Sequence, residues 1–275
     1  QAVQVPFQFQ AGDTARAAEV NQNFEMLEME IEALQAQIMV LQSKTQFIEI
    51  EPGDLNGLAG PHLIVSGVNL HVRSGTGTTD DAGAPVGLGN LVLGYNETAT
   101  GQAAGDRGGS HNLVIGPRNR YSSFAGIVAG ADNRISGEQA TVTGGQFNSA
   151  TAAFAHISGG GGATANLFNT ASGEYASILG GLRNVASGDN SCISGGSNQT
   201  ASGFVSAVSG GGFNVASGAG AAVSGGAGNN ATQSNSSISG GSGGTASGIS
   251  SSISGGTNQT VTQNFEWRAC DLTCP

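Results

Sequence analysis

The chain has 275 residues, of which 47 are Gly and 6 are Pro, and only 5% are aromatic and 10% charged. This composition excludes collagen, which needs Gly at every third position, and it argues against both ordinary disorder and a thick globular core, because the chain has few charges to solvate it and few large side chains to bury. The net charge of -10, with Lys44 as the only Lys, leaves no basic stripe for phosphates, so we expect no nucleic-acid partner.

Residues 1–13 are predicted to form an N-terminal extended arm. Apolar and polar residues alternate in QAVQVPFQFQ, and this period of two is typical of a strand. Pro6 favours an edge position. A frayed tail fits the pattern, and so does an arm that adds to the sheet edge of a neighbouring copy. In the second interpretation, residues 1–10 would link copies head to tail into a filament.

Residues 14–46 are predicted to form a coiled-coil helix. Apolar residues and Thr45 recur at alternating steps of four and three from Val20 to Ile48, which is an uninterrupted heptad pattern. A single amphipathic helix packed on a domain is the alternative. Ile at one seam position with Leu at the other would by itself favour a dimer. The predicted seam consists of Val20, Phe24, Leu27, Ile31, Leu34, Ile38 and Leu41.

Residues 47–90 are predicted to be transition strands and loops. A short strand in FIEIEPG ends at Pro-Gly, and 62–65 and 69–72 are further short strands. Residues 75–89 form a loop, in which Asp80 and Asp81 are either solvated or placed to bind Ca²⁺.

A repeat of 14–15 residues occupies 91–263 and predicts a parallel β-solenoid. In each unit an Ile or Val points inward, Gly-Gly turns the chain, an Asn five or six residues later caps a second turn, and Ala-Ser-Gly supplies a second short strand. The predicted core column is Val114, Val128, Val142, Ile157, Ile178, Ile193, Val208, Val223, Ile238 and Ile253. The predicted Asn turn column is Asn133, Asn148, Asn184, Asn198, Asn214, Asn229 and Asn258.

Two features of the solenoid favour self-association. One coil buries about one large apolar side chain, which is too little to offset the entropy of ordering its residues. Residues 190–265 contain no Asp, Glu, Lys or Arg, so little charge keeps copies apart. We therefore expect the chain to be its own partner.

The unit Ser191-Cys-Ile-Ser-Gly-Gly-Ser-Asn-Gln-Thr-Ala-Ser-Gly203 and its neighbours resemble the head repeats of trimeric autotransporter adhesins, the YadA-like head. The resemblance covers roughly 91–262. It implies a left-handed β-roll, a homotrimer, and an extracellular adhesive or structural role. Here the coiled coil precedes the solenoid, and this order also resembles phage tail-fibre proteins.

We find no pattern that indicates catalysis, a cofactor or a metal. His62, His71, His111 and His156 lie far apart without metal-ligand spacing, so core or turn roles are expected. Asp132 and Glu138 share one coil and are the acidic pair considered for glycoside chemistry. Residues 264–275 are predicted to form a cap in which Cys270 and Cys274 form a local disulfide or a bridge between chains.

The sequence thus predicts a secreted, non-enzymatic fibre or surface appendage at the cell surface. Gln1 suggests a mature chain whose export signal was removed. No apolar run reaches about 18 residues, so we expect no membrane insertion. The host surface or matrix component that it binds is unknown. A receptor-binding fibre of a phage-like particle is the main alternative. Ice binding is a further one, although it usually uses a flat Thr array and the position after Ile or Val here is mainly Ser.

Overall fold

A computed structural model describes residues 4–98, 101, 103–162, 164 and 166–269. The chain consists of two compact units, 1–71 and 72–275. The boundary falls inside the segment 47–90 that the sequence assigns to transition strands and loops.

The first unit contains one helix and one hairpin. Helix α1 spans Ala17–Thr45. Strands β1 (Ile48–Glu51) and β2 (His62–Val65) pair antiparallel. Between them Asn56 and Gly57 both adopt positive φ in a tight turn, which suits Asn-Gly. The predicted strand at 69–72 is absent, and those residues have no regular structure. Residues 4–10 of the predicted arm likewise form no strand.

The second unit is mainly β. It begins with a loop that contains the short 3-10 helix Asp81–Gly83, and a second 3-10 helix spans Ala104–Arg107. Its strands are β3 (Leu91–Leu93), β4 (Leu113–Ile115), β5 (Arg120–Tyr121), β6 (Ile127–Ala129), β7 (Arg134–Ile135), β8 (Thr141–Val142), β9 (Ser149–Ala150), β10 (His156–Ile157), β11 (Thr170–Ala171), β12 (Ser177–Ile178), β13 (Val185–Ala186), β14 (Cys192–Ile193), β15 (Thr200–Ala201), β16 (Ala207–Val208), β17 (Val215–Ala216), β18 (Ala222–Val223), β19 (Asn230–Ala231), β20 (Ser237–Ile238), β21 (Thr245–Ala246), β22 (Ser252–Ile253), β23 (Thr260–Val261) and β24 (Trp267–Arg268).

These strands form a parallel β-solenoid with two sheets. The first sheet has 12 strands, namely β3 followed by the even-numbered strands from β4 to β24. The second sheet has 10 strands, the odd-numbered ones from β5 to β23. Each coil therefore contributes one strand to each sheet. In the regular region, residues one coil apart pair directly, as Ile193 does with Val208.

The solenoid interior is a thin layer between the two sheets. In the two-residue strands the first residue usually lies half-buried and the second fully buried. The first sheet contributes Ile or Val to this layer, and the second sheet contributes mainly Ala. A large side chain thus faces a small one, so two short strands can approach closely with few bulky residues.

Candidate functional site

The predicted core column lies in the interior. All ten of its residues, from Val114 to Ile253, are at most 1% exposed. Val92 occupies the equivalent position in β3, at the end of the first sheet, and is 41% exposed. From Val142 to Ile253, the position two residues before each Ile or Val is also buried and carries Ala or Ser, as at Ala221 and Ser236.

A column of buried amide side chains runs parallel to this core. From Asn119 to Asn229, each ladder amide oxygen accepts the backbone N–H at the same position of the next coil, as Asn214 Oδ1 does from Asn229 at 3.0 Å. Asn229 Oδ1 accepts the N–H of Gly244, which has no amide side chain to continue the series. The Nδ2 group of Asn214 donates to the carbonyls of Gly210 and Gly226, at 2.9 and 3.0 Å. The buried amide thereby satisfies backbone groups of two coils, which stabilises their stacking.

The predicted Asn column needs correction at two of its positions. Asn198 and Asn258 adopt positive φ and lie next to the ladder, whereas Gln199 and Gln259 occupy it. The Oε1 atom of Gln199 accepts the N–H of Asn214 at 2.9 Å, but its buried Nε2 has no partner among the described residues. The remaining predicted Asn residues lie in the ladder, together with Asn119 and Asn169, which the sequence pattern missed.

The two residues of each Gly-Gly pair play different parts. The second Gly of a pair has positive φ, as at Gly196, where an added Cβ would lie 2.4 Å from the carbonyl oxygen of Gly211. The first Gly, as at Gly195, does not have positive φ, and an added Cβ there would meet no atom within 4 Å. Only the second Gly is therefore required by the backbone.

The predicted seam of α1 is open to solvent. The helix has no buried residue. Phe24, Ile31, Leu34, Ile38 and Leu41 are each between 50 and 60% exposed. Val20 and Leu27 are half-buried. The exposed apolar stripe from Ile31 to Leu41 makes this helix of 29 residues a candidate interaction surface.

The outward positions of the second sheet form two further ranks. The first begins with Arg120 and Arg134, and from Ser149 onward both ranks consist mainly of small side chains. Val and Thr alternate in the first rank at Val185, Thr200 and Val215. Ser187 and Ser202 belong to the second rank. The corresponding rank of the first sheet is mainly Ser, so the Thr positions of the second sheet were not visible in the pattern around the Ile/Val column.

Large side chains occupy strained positions at the turns of the solenoid. A positive φ is rare for an aromatic or β-branched residue and costs roughly 1–2 kcal/mol. Phe154 and Tyr175 stack with ring centroids 4.7 Å apart. The apolar or aromatic residues with positive φ, apart from Ala, are Phe147, Phe154, Tyr175, Val205, Phe213 and Phe265.

Asp81 organises the loop before the solenoid. Its Oδ1 accepts the hydroxyls of Ser74 and Thr76, each at 2.5 Å, and its Oδ2 accepts the N–H of Val86 at 3.0 Å. The hydroxyls of Ser110, Ser74 and Thr76 hold the pKa of the Asp81 carboxyl well below its usual range. Asp81 is 5% exposed. It therefore neither belongs to a solvated pair with Asp80 nor leaves its oxygens open for a cation.

The acidic pair considered for glycoside chemistry is separated by β7, with Asp132 before the strand and Glu138 after it. The Nε and Nη2 atoms of Arg118 donate to the two carboxylate oxygens of Asp132, each at 2.8 Å. This hydrogen-bonded ion pair lowers the pKa of the Asp132 carboxyl. Both oxygens of the Asp132 carboxylate thus accept hydrogen bonds in a structural contact between coils.

Other candidate groups are dispersed. Within 4–98, 103–162 and 166–269, no group of three or more His, Cys, Asp or Glu could hold a metal ion. The ring of His111 lies in the loop of Asp81, where Nε2 accepts the N–H of Ser74 at 3.0 Å. Cys192 carries a free thiol. Cys270 and Cys274 lie outside the described residues.

Among the described residues, no helix combines the length and the apolar composition needed to cross a membrane. No protein-family model matches the chain, and no curated protein matches it either.

Proposed function

We propose that this chain is a non-enzymatic, extracellular structural or adhesive protein. In this proposal the α1 helices of three copies join in a coiled coil, and the β-solenoid serves as the shaft of a fibre or surface appendage. The observation that carries the proposal is the exposed heptad seam of α1.

The seam supports self-association on energetic grounds. Full burial of a Leu, Ile or Phe side chain contributes roughly 1.5–3 kcal/mol. Five seam side chains are at least half exposed in the single chain. Association through this seam would remove them from water and would also support a helix that has no buried residue.

The solenoid supports the shaft role. Its coils stack through backbone hydrogen bonds and the amide ladder, which need no enclosed cavity or ligand. The segment 190–265 presents uncharged side chains only, so copies can lie side by side without charge repulsion. The resemblance to trimeric adhesin head repeats adds two further parts of the proposal, namely the number of three copies and the adhesive extracellular role.

The native mass of the full chain tests the proposal. One chain is 27.2 kDa, and we expect three times this mass by analytical ultracentrifugation. Leu34→Glu, in the seam, should lower the mass to that of one chain. Met29→Glu makes the same kind of change at an exposed residue outside the seam and should leave the mass unchanged. A native protein of 27.2 kDa would overturn the proposal.

The Thr-containing ranks of the second sheet favour ice binding as a second candidate function. Regularly spaced methyl and hydroxyl groups on the outer side of a sheet are suited to ordering water. Thr170, Thr200 and Thr245 lie on this side of the second sheet. A thermal-hysteresis measurement separates the two candidates. Hysteresis that is lost in Thr200→Lys would favour ice binding, and its absence in the native protein would exclude it.

A further inference from the structure

The β1–β2 hairpin has one apolar face that is open to solvent. Ile48 pairs with Val65, and Ile50 pairs with Leu63. Directly paired residues of an antiparallel ladder point to the same side, so these four side chains share one face. Their exposed fractions are 49% for Ile48, 61% for Ile50, 67% for Leu63 and 42% for Val65.

The opposite face of the hairpin is mainly polar. It carries Glu49 opposite Ile64 and Glu51 opposite His62. The hairpin is therefore amphipathic, with an acidic side and an aliphatic side. A two-stranded hairpin is only marginally stable in water unless its apolar face is covered. The aliphatic face thus requires a partner.

The apolar face continues the seam of α1. Ile48 is the next residue of the same heptad position after Leu34 and Leu41, and it is also the first residue of β1. The helix ends at Thr45. Three residues of chain span at most about 10 Å. Copies held together by their helices would therefore hold their hairpins close to one another.

We propose that this aliphatic face is an interface with further copies of the same chain. The hairpins of associated copies pack Ile48, Ile50, Leu63 and Val65 against one another and form an apolar collar next to the coiled coil. Glu49 and Glu51 face solvent, because the reverse orientation would bring like charges together. The inference rests on the self-association in the proposed function, and it extends the interface from the helix to the strands.

Chemical cross-linking of the full-length protein tests the collar. The parent variant carries Cys192→Ser, Cys270→Ser and Cys274→Ser, so that one introduced thiol is the only one. Ile50→Cys places the thiol on the aliphatic face, and Glu49→Cys places it on the acidic face one residue away. After treatment with a short bifunctional maleimide, we expect linked chains from Ile50→Cys and at least fivefold less from Glu49→Cys.

A second pair repeats the comparison of the two faces in case one variant fails to fold. It consists of Leu63→Cys in β2, on the aliphatic face, and Glu51→Cys in β1, on the acidic face. The melting temperature of each variant is compared with that of the parent. Equal cross-linking from the two faces, or more from the Glu positions, in a protein that retains its multimeric mass would overturn the collar alone. A monomeric mass for the parent would overturn the collar and the proposed function together.

Discussion

The side chain of Asn23 holds the backbone of Phe7 through two hydrogen bonds. The N–H of Phe7 donates to Asn23 Oδ1 at 2.9 Å, and Asn23 Nδ2 donates to the Phe7 carbonyl at 2.7 Å. The side-chain amide of this helical residue thus accepts from and donates to the backbone of the extended arm, as a neighbouring strand would. At Phe7 the arm is attached to α1 of its own chain.

Removing this side chain should release the arm. In Asn23→Ala, the Phe7 backbone loses both of its hydrogen bonds to the side chain of residue 23, and we expect its amide to exchange hydrogen at least tenfold faster, as measured by NMR. Gln22→Ala, which alters an exposed residue next to Asn23, should leave the rate unchanged. An unchanged rate in Asn23→Ala would show that other contacts hold the arm.

The amide ladder should dominate the stability of a coil. Asn214→Gly removes the acceptor of the Asn229 N–H and the donor to Gly210, so we expect a loss of roughly 2–4 kcal/mol in the free energy of unfolding. Asn198→Gly makes the same substitution beside the ladder, at a positive φ that Gly accepts, and should change it by less than about 0.5 kcal/mol. Urea unfolding measures both. Equal losses would contradict the role assigned to the ladder.

Gln199→Asn should stabilise the solenoid. The buried Nε2 of Gln199 has no partner among the described residues. The shorter amide of Asn satisfies the equivalent carbonyls in neighbouring coils, as Asn214 shows. We expect a gain of about 1 kcal/mol, which thermal unfolding would detect as a higher melting temperature. A lower melting temperature would mean that the larger side chain fills space that Asn leaves empty.

Adjacent glycines should respond oppositely to the same substitution. Gly196→Ala puts a Cβ 2.4 Å from a carbonyl oxygen at a positive φ, and we expect a loss of roughly 2–5 kcal/mol. Gly195→Ala meets open space and removes freedom from the unfolded chain, so stability should stay equal or rise by about 0.5 kcal/mol. Guanidinium unfolding of the two variants gives the comparison. Similar losses would refute the distinction between the two columns.

Acid should loosen the loop around Asp81. Because hydrogen bonds lower the pKa of this carboxyl in the folded state, they contribute stability above its unfolded value of about 3.9, and this contribution is lost as the pH falls below that value. The protection factors of amides in 74–86, which compare each exchange rate with that of an unstructured peptide at the same pH, should therefore fall below about pH 4. Asp81→Asn should already lower them at neutral pH, whereas Asp54→Asn, in the other unit, should not. Protection factors that do not change with pH in the native protein would contradict this.

The solenoid could be predicted because the Ile/Val column has a fixed step of 15 residues from Ile178 onward. The neighbouring Asn column was ambiguous because coils differ in length. In the shorter coil the ladder residue follows its Val by five positions, as Asn133 follows Val128, whereas in the longer coils it follows by six. Asn198 lies five positions after Ile193 in a longer coil and so misled the assignment. A fixed offset of six in that coil would have identified Gln199.

The exposed aliphatic face of the hairpin could not be predicted from the sequence alone. The strand pattern at 47–53 is visible, but the pairing of Ile50 with Leu63 depends on the register of β1 and β2. The Asp81 loop was missed for a similar reason. The hydroxyls that surround its carboxylate come from Ser74, Thr76 and Ser110, and only folding brings Ser110 to the other two.

The repeated register of Ile193, Val208 and Val223 has a consequence for how such a chain can change in length. Duplication or deletion of one whole 15-residue unit restores every pairing on either side of the cut. A shorter change keeps the pairing only where a turn absorbs it, as in the 14-residue step from Val128 to Val142. Unequal recombination between repeats can therefore add or remove coils, because the new contact between neighbouring coils is the same as the old one. The number of coils, and with it the length of the solenoid, can thus change while the sequence of each coil stays the same.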